Sequence, residues 1–267
     1  MANITEKPIP PILKAYYGDI FFEFLVHSKE EGWKRDAIVL LPGFPSAFKY
    51  DYEMRFLFQR GFNVFFPRYK GTYQSKGKFL NENIVLELKK FLEELKKGKA
   101  KSLWDNSVVN FSVGGNIILF GGSFSGAVAC GLGAVDKDIR KIVLFSPVWD
   151  FKKHNENGDE QDLEKLTPFI KRAYKNLYRI GFESLSKKMG EFRECSPDFY
   201  LNRLAGRETG VLVFNDPEDK TVSIKHTLEV IKKHPWIKSI EHNKGHDGRT
   251  SGLIELRWQD IFSFIKL

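Results

Sequence analysis

The run Asn116-Ile117-Ile118-Leu119-Phe120-Gly121-Gly122-Ser123-Phe124-Ser125-Gly126 decides how this chain is read. An apolar strand leads straight into a serine set among small residues, and further small residues then open a helix. This is the arrangement of a nucleophile elbow. The serine sits on a tight, strained strand-to-helix turn, so the positions two before and two after it must be small to avoid a clash. Gly121 and Ser125 fill those positions around Ser123. Ser125 is the alternative nucleophile, with Ser123 and Ala127 as its own small neighbours.

At 267 residues the chain suits a single α/β domain carrying an insertion, and it is long enough to bury a sizeable core. Its 42% apolar and 28% charged residues are ordinary for a soluble globular protein. No run reaches the roughly 18 consecutive apolar residues of a membrane span. The start, Met1-Ala2-Asn3-Ile4-Thr5-Glu6-Lys7, lacks the apolar stretch of a signal peptide. A cytoplasmic location without a membrane partner is therefore expected. The two cysteines, Cys130 and Cys195, lie far apart without metal-ligand spacing and read as reduced, buried small side chains. The net charge of +8 is spread through amphipathic segments and not gathered in a tract, and no nucleic-acid motif accompanies it. A lysine-rich solvated surface is the expectation, and a nucleic-acid partner is not.

Strand and helix patterns alternate along most of the chain, which implies a mostly parallel sheet covered on both faces. Residues 20–26 read as an early strand, antiparallel at the sheet edge. Residues 37–41, 62–66, 116–120, 142–145 and 211–214 are the short apolar runs of central strands. Ile84, Val85, Leu88, Phe91, Leu92 and Leu95 keep a helical period, closed by Lys96, Lys97 and Gly98. A helix is expected over 221–233, a last strand over 236–241 and a closing helix over 253–265. Residues 148–207 break the alternation. They are polar, charged at Asp159, Glu160, Asp162, Glu164 and Lys165, and contain a helical piece over 169–178. They read as a cap inserted over the mouth of the site, not as a second domain.

A serine hydroxyl is a weak nucleophile near neutral pH and needs a base to take its proton. That base is usually a histidine oriented by a carboxylate, and after an elbow of this kind the chain order is Ser, Asp or Glu, then His. Of His27, His154, His226, His234, His242 and His246, only the last four lie late enough. His246 stands out in the glycine-bounded loop Asn243-Lys244-Gly245-His246-Asp247-Gly248, directly after the last expected strand. The acid is expected just past residues 211–214, in Asn215-Asp216-Pro217-Glu218-Asp219-Lys220-Thr221-Val222. Asp219 is the favoured carboxylate, although an aspartate there also suits a helix N-cap. Asp216 is its main rival and Asp247 a weaker one.

Several of these pieces together resemble the α/β-hydrolase superfamily, and within it the prolyl-oligopeptidase and dienelactone-hydrolase-like branch. The elbow Gly121-Gly122-Ser123-Phe124-Ser125-Gly126 resembles that branch's Gly-Gly-Ser-[Tyr/Phe]-Gly-Gly. Ser196-Pro197-Asp198-Phe199-Tyr200 matches its Ser-Pro-x-x-Tyr, Asp219 with Val222 its acid turn, and Gly245-His246 its closing element. Lys70-Gly71 with Ser75 and Gly77 echoes its Arg-Gly-x-x-x-Ser-x-Gly. Three positions depart from the pattern. Pro42-Gly43 replaces a His-Gly, Ser125 replaces the elbow glycine, and Asp216 replaces the glycine of the acid turn. The propeller of the peptidases has no room in 267 residues.

The resemblance implies an α/β-hydrolase fold with a helical cap and a serine hydrolase acting on a small-molecule carboxylic ester. It implies catalysis by Ser123, Asp219 and His246 through an acyl-enzyme, without metal or organic cofactor. The oxyanion donors are expected to be the backbone N–H groups of Phe124 and Phe44, since Pro42 and Pro45 have none. Phe44, Tyr69, Phe124 and Trp149 fall near strand ends and are candidates for an apolar acyl pocket. The same triad also serves peptidases, amidases and thioesterases, and the fold also serves silent binding proteins.

Overall fold

Two apolar layers, one on each face of the main sheet, account for the architecture. The structure is a computed structural model that describes residues 10–27, 35–46, 50–154, 156, 158, 160–246 and 252–266. The first half of the chain forms β1 (Leu13–Tyr17), β2 (Ile20–Leu25), β3 (Arg35–Leu40), α1 (Asp51–Gln59), β4 (Asn63–Pro67) and α2 (Ile84–Leu95). The small hairpin β5 (Lys99–Lys101) and β6 (Val108–Asn110) precedes β7 (Val113–Ser123), α3 (Ser125–Val135) and β8 (Ile139–Pro147). Then come α4 (Leu163–Ala173), α5 (Leu185–Gly190), α6 (Pro197–Gly206), β9 (Gly210–Asn215), α7 (Ile224–Lys233), β10 (Lys238–Glu241), α8 (Ile254–Leu256) and α9 (Trp258–Lys266).

The main sheet runs in the order β1-β2-β4-β3-β7-β8-β9-β10. From β4 through β10 the pairings are parallel, and β2 is antiparallel to both β1 and β4. Side chains alternate between the faces of a strand, and both sets here are apolar. Val39, Leu119, Leu144 and Val213 enter one core with α2 and α3. Ile38, Ile118, Val143 and Leu212 enter the other with α1 and α9. Burial on both faces is why these strands read as continuous apolar runs.

Residues 84–95 form α2 as the periodicity predicts, with Asn83 accepting the Val85 and Leu86 N–H groups at its start. Residues 20–25 are antiparallel as expected but are not the edge, because β1 pairs outside them. In β1 only Ala15 is buried, so it carries no alternation to read. The helix expected over 221–233 begins at Ile224, where Ser223 caps it by accepting the Lys225 N–H. The closing helix is broken at Arg257 into α8 and α9. The helical piece expected over 169–178 starts earlier, at Leu163, behind the Asp162 cap. Helix α1 and the β5–β6 hairpin were not anticipated. Met1–Lys7, Asp159 and Asp247 lie outside the described residues.

Between β8 and β9 the chain splits its helices between two tasks. Helix α6 packs on α3, and Tyr200 within it donates its hydroxyl to the Trp149 carbonyl at 2.7 Å. Leu163 and Leu185, at the starts of α4 and α5, instead reach the pocket above Ser123. Arg179 fastens this region to the loop after β4 by donating to the carbonyls of Tyr73, Ser75 and Gly77. In that loop Ser75 accepts the Phe21 N–H at 2.9 Å and donates to Arg68 at 2.8 Å, which gives the Lys70-Gly71…Ser75…Gly77 motif a structural role. Among the described residues no helix is long and apolar enough to cross a membrane.

Glu87 is the one charged side chain on the buried face of α2. Burial pushes its carboxyl up to about 7, against the pull of Lys70. A carboxyl raised in the folded state costs stability as pH climbs from its ordinary value to its folded one. Glu87→Gln is expected to be more stable than the unsubstituted protein at pH 8 by about 1–2 kcal/mol. The gain should vanish below about pH 4.5. Urea unfolding at both pH values checks this.

Candidate active site

The end of β7 carries Ser123 with φ +50°, the left-handed region that a side chain enters only under constraint. The constraint comes from Ser125. Its buried hydroxyl accepts the Gly122 N–H at 2.7 Å and points at the Gly122 and Leu41 carbonyls, 2.9 and 3.2 Å away. Ser125 is fully enclosed and works as the pin of the turn. Strand β8 closes the other side. Val148 N–H donates to Ser123 O and Ala127 N–H to Val148 O, each at 3.0 Å. The approach at Gly126 is so close that a Cβ there would lie 2.4 Å from the Pro147 Cβ, which only glycine permits.

The acid turn follows β9 and the histidine loop follows β10. Asp219 Oδ2 faces His246 Nδ1 at 2.8 Å. Its Oδ1 accepts the Thr221 and Val222 N–H groups at 2.8 and 3.0 Å. Asp219 therefore caps its own turn with one oxygen and holds the imidazole with the other, while Ser223 supplies the helix cap. Ser146, at the end of β8 with φ +42°, adds its hydroxyl to the same carboxylate. Burial alone would raise the Asp219 carboxyl. The His246 hydrogen bond and charge, the Val222 N–H and the Ser146 hydroxyl outweigh burial and leave it below the usual carboxylate value. With Nδ1 committed to Asp219, proton exchange by His246 falls to Nε2.

Asp216 does not meet His246. Its Oδ1 accepts the Glu218 N–H at 2.9 Å and its Oδ2 the Gly245 N–H at 2.6 Å. His226 and His234 are also elsewhere: His226 pairs with Glu160 at 3.0 Å, and His234 lies against the Trp236 ring.

Ser123 opens into a pocket walled by Phe44, Phe124, Val148 and Phe151, and by Thr221 and Val222 of the acid turn. The region before β9 roofs it with His154, Gln161, Leu163 and Leu185. Phe124 packs 5.8 Å from Phe44 and 5.4 Å from Phe151, ring centre to ring centre. Of the four aromatics singled out in the sequence, Phe44 and Phe124 line the pocket. Tyr69 sits behind Phe124 with its hydroxyl on the Pro42 carbonyl, and Trp149 donates its indole N–H to Thr227.

Sequence reasoning missed a polar cluster in the roof. Glu160 Oε2 lies 3.0 Å from His226 Nε2 and 3.5 Å from His154 Nδ1, and Oε1 accepts the Ser223 N–H at 2.6 Å. Burial lowers the His154 pKa against the pull of Glu160, whereas the Glu160 hydrogen bond raises that of His226. Ser146 was missed as well. No spacing rule connects residues of an insertion or of β8 to Ser123, so neither could be found from pattern alone. Among the described residues no His, Cys, Asp and Glu group is arranged to hold a metal ion.

If Ser125 is the pin of the elbow, Ser125→Ala leaves the Gly122 N–H unpaired in the interior and should cost about 1–3 kcal/mol. Gly126→Ala, which drives a methyl into Pro147, should cost a similar amount, about 1–3 kcal/mol. Chemical unfolding of each variant measures both.

No protein-family model matches the chain, and no curated protein matches its sequence. Solved structures do match. An esterase of Pyrococcus furiosus aligns over 96% of this chain and 89% of its own, with 17% identity and a TM-score of 0.62. A structure from work on carboxylesterases of Nitrososphaera gargenis aligns over 96% of this chain and 98% of its own, with 14% identity and a TM-score of 0.58. The acylaminoacyl peptidase of Pyrococcus horikoshii matches 90% of this chain at 15% identity and TM-score 0.59, but the chain spans only 38% of that protein. Identities this low speak to architecture, and the architecture is shared: this chain has the α/β-hydrolase fold.

Proposed function

We propose that the protein is a serine hydrolase that cleaves small carboxylic esters through an acyl-enzyme. The observation that carries this reading is the 2.8 Å contact of Asp219 with His246 Nδ1. It lies in the loops after β9 and β10, beside a pocket that holds the strained Ser123. In this mechanism His246 Nε2 takes the Ser123 proton as Oγ attacks the ester carbonyl, and later returns it to the leaving alcohol. Asp219 keeps the imidazole in the tautomer with Nδ1 protonated and stabilises the imidazolium. The oxyanion is received by the backbone N–H of Phe124, next to the nucleophile, and of Phe44, on the loop after β3. Each donor contributes about 3 kcal/mol of transition-state stabilisation. Water repeats the sequence on the acyl-enzyme, and no step calls for a metal or organic cofactor. The acyl group lies against Phe44, Phe124 and Phe151, which favours an apolar one. An ester is preferred to a peptide because the chain matches small esterases over nearly their whole length, and the peptidase over only 38% of its own.

A fluorophosphonate probe followed by peptide mass spectrometry tests the assignment. The label is expected on Ser123. It should be absent in Ser123→Ala, retained in folded Ser125→Ala, and formed at least about 10³-fold more slowly in His246→Ala. Asp219→Asn should lower kcat on p-nitrophenyl acetate about 10⁴-fold by releasing the wrong tautomer. Labelling at Ser125 would overturn the choice of nucleophile. An unreactive folded protein would leave a binding protein on this fold.

A further inference from the structure

Asp216 is a buried carboxylate that the mechanism leaves unused, at the end of β9 and standing where the resembling branch has glycine. Its two oxygens face different parts of the chain. Oδ1 shapes the acid turn through the Glu218 N–H, and Oδ2 crosses to the histidine loop and takes the Gly245 N–H at 2.6 Å. Gly245 immediately precedes His246 and has φ +70°, so the bond fixes the Lys244–Gly245 peptide, one residue ahead of the imidazole.

Packing does little for this loop, because Asn243, Lys244 and Gly245 are all exposed. Polar contacts hold it instead. The His242 N–H donates to the Asn215 carbonyl at 2.9 Å, and the buried His242 Nδ1 accepts the Lys244 N–H at 3.1 Å. That nitrogen is therefore unprotonated, and it lies 4.0 Å from Asp216 Oδ2. After His242 the described ties from the loop to the acid turn are Asp216 to Gly245 and Asp219 to His246. Among the described residues, removing the first leaves the imidazole to be placed by its own hydrogen bond, after three exposed positions.

We propose that Asp216 is a positioning residue for His246, acting through the Gly245 amide to set the imidazole against Asp219. The kinetic consequence rests on the serine-hydrolase reading, whereas the structural consequence does not. Asp216→Asn is nearly isosteric and keeps one acceptor oxygen, so it can serve the Glu218 or the Gly245 N–H but presents an NH₂ to the other.

The test uses the full chain with Asp216→Asn and Asp216→Ala. On p-nitrophenyl acetate, kcat should fall at least about tenfold with KM within about threefold, since misplacement of a catalytic group penalises the transition state and not ground-state binding. Independently of turnover, proton NMR should show a low-field imidazole N–H for the Asp219-bound Nδ1, identified by its loss in His246→Gln. In Asp216→Asn this signal should broaden or vanish while the rest of the spectrum and the thermal melt persist. A signal unchanged in both variants overturns the proposal, as does an unchanged kcat. Wholesale loss of folding in Asp216→Asn also overturns it, by assigning Asp216 a purely structural role. If the unsubstituted protein neither takes the probe nor cleaves esters, the serine-hydrolase reading falls, and the NMR signal alone decides the role of Asp216.

Discussion

The hydroxyl of Ser125 is the contact on which the rest of the site depends. By accepting the Gly122 N–H and facing the Gly122 and Leu41 carbonyls, it ties together the end of β7, the start of α3 and the end of β3. Leu41 is the residue from which the Pro42-Gly43-Phe44 loop departs, and its own N–H donates to Phe120 at 2.7 Å. One side chain thus fixes the backbone of Ser123 relative to the loop that carries Phe44. A glycine at this position could not do this. The departure at Ser125 from the branch's elbow pattern becomes intelligible as a polar pin in place of a glycine, with the hydroxyl's desolvation offset by hydrogen bonds.

The sheet supplies the second constraint. Parallel strands buried on both faces send their C-terminal ends to one edge, and ligands bind in the crevice there. Ser123 ends β7, Asp219 follows β9 and His246 follows β10, so the sheet sends all three to the same end of the strands and brings Asp219 to His246. Strand β8 lies between and contributes support. Its last residues and Val148 just beyond them hold the elbow through Pro147 and Val148 and the acid through Ser146. Ser123 and Ser146, two of the left-handed residues, lie at the ends of adjacent strands beside the acid and the pocket, at the expense of backbone strain.

Much of this was legible in the sequence because the relevant signals are local. Helix α2 carries an apolar period from Ile84 to Leu95 closed by Lys96-Lys97-Gly98, and its span was legible from that; the Asn83 cap and the buried Glu87 were not. The central strands announce themselves by burying both faces. What escaped was set by partners distant in sequence. Strand β1 exists because β2 offers it an edge, and its own residues are mostly part-exposed. Tyr69 and Trp149 sit at strand ends as the pocket residues do, but each is drawn away by a hydroxyl or indole bond to Pro42 or Thr227. His154 was set aside for preceding the acid, a rule that governs the triad and not the walls of the pocket.

The walls and roof of the pocket share one apolar core, to which the roof adds a polar layer, and this bears on how the site can vary. Phe44 and Phe124 pack with Phe79 and Tyr178 at centroid distances of 5.0 to 6.1 Å, within the same core as the sheet. Altering that wall means altering the core, where a lost or added ring group costs several kcal/mol. The roof shares that core through Leu166 and Ile170 of α4 and Leu185 and Met189 of α5, and adds polar contacts to it: the Asp162 cap of α4, Glu164 with Ser184 and Ser186, and Glu160 between two imidazoles. Such contacts can be exchanged at modest net cost provided each buried group keeps a partner. The polar contacts of the roof, and not its apolar seating, are therefore the part of the pocket that can vary at least cost to the stability of the domain.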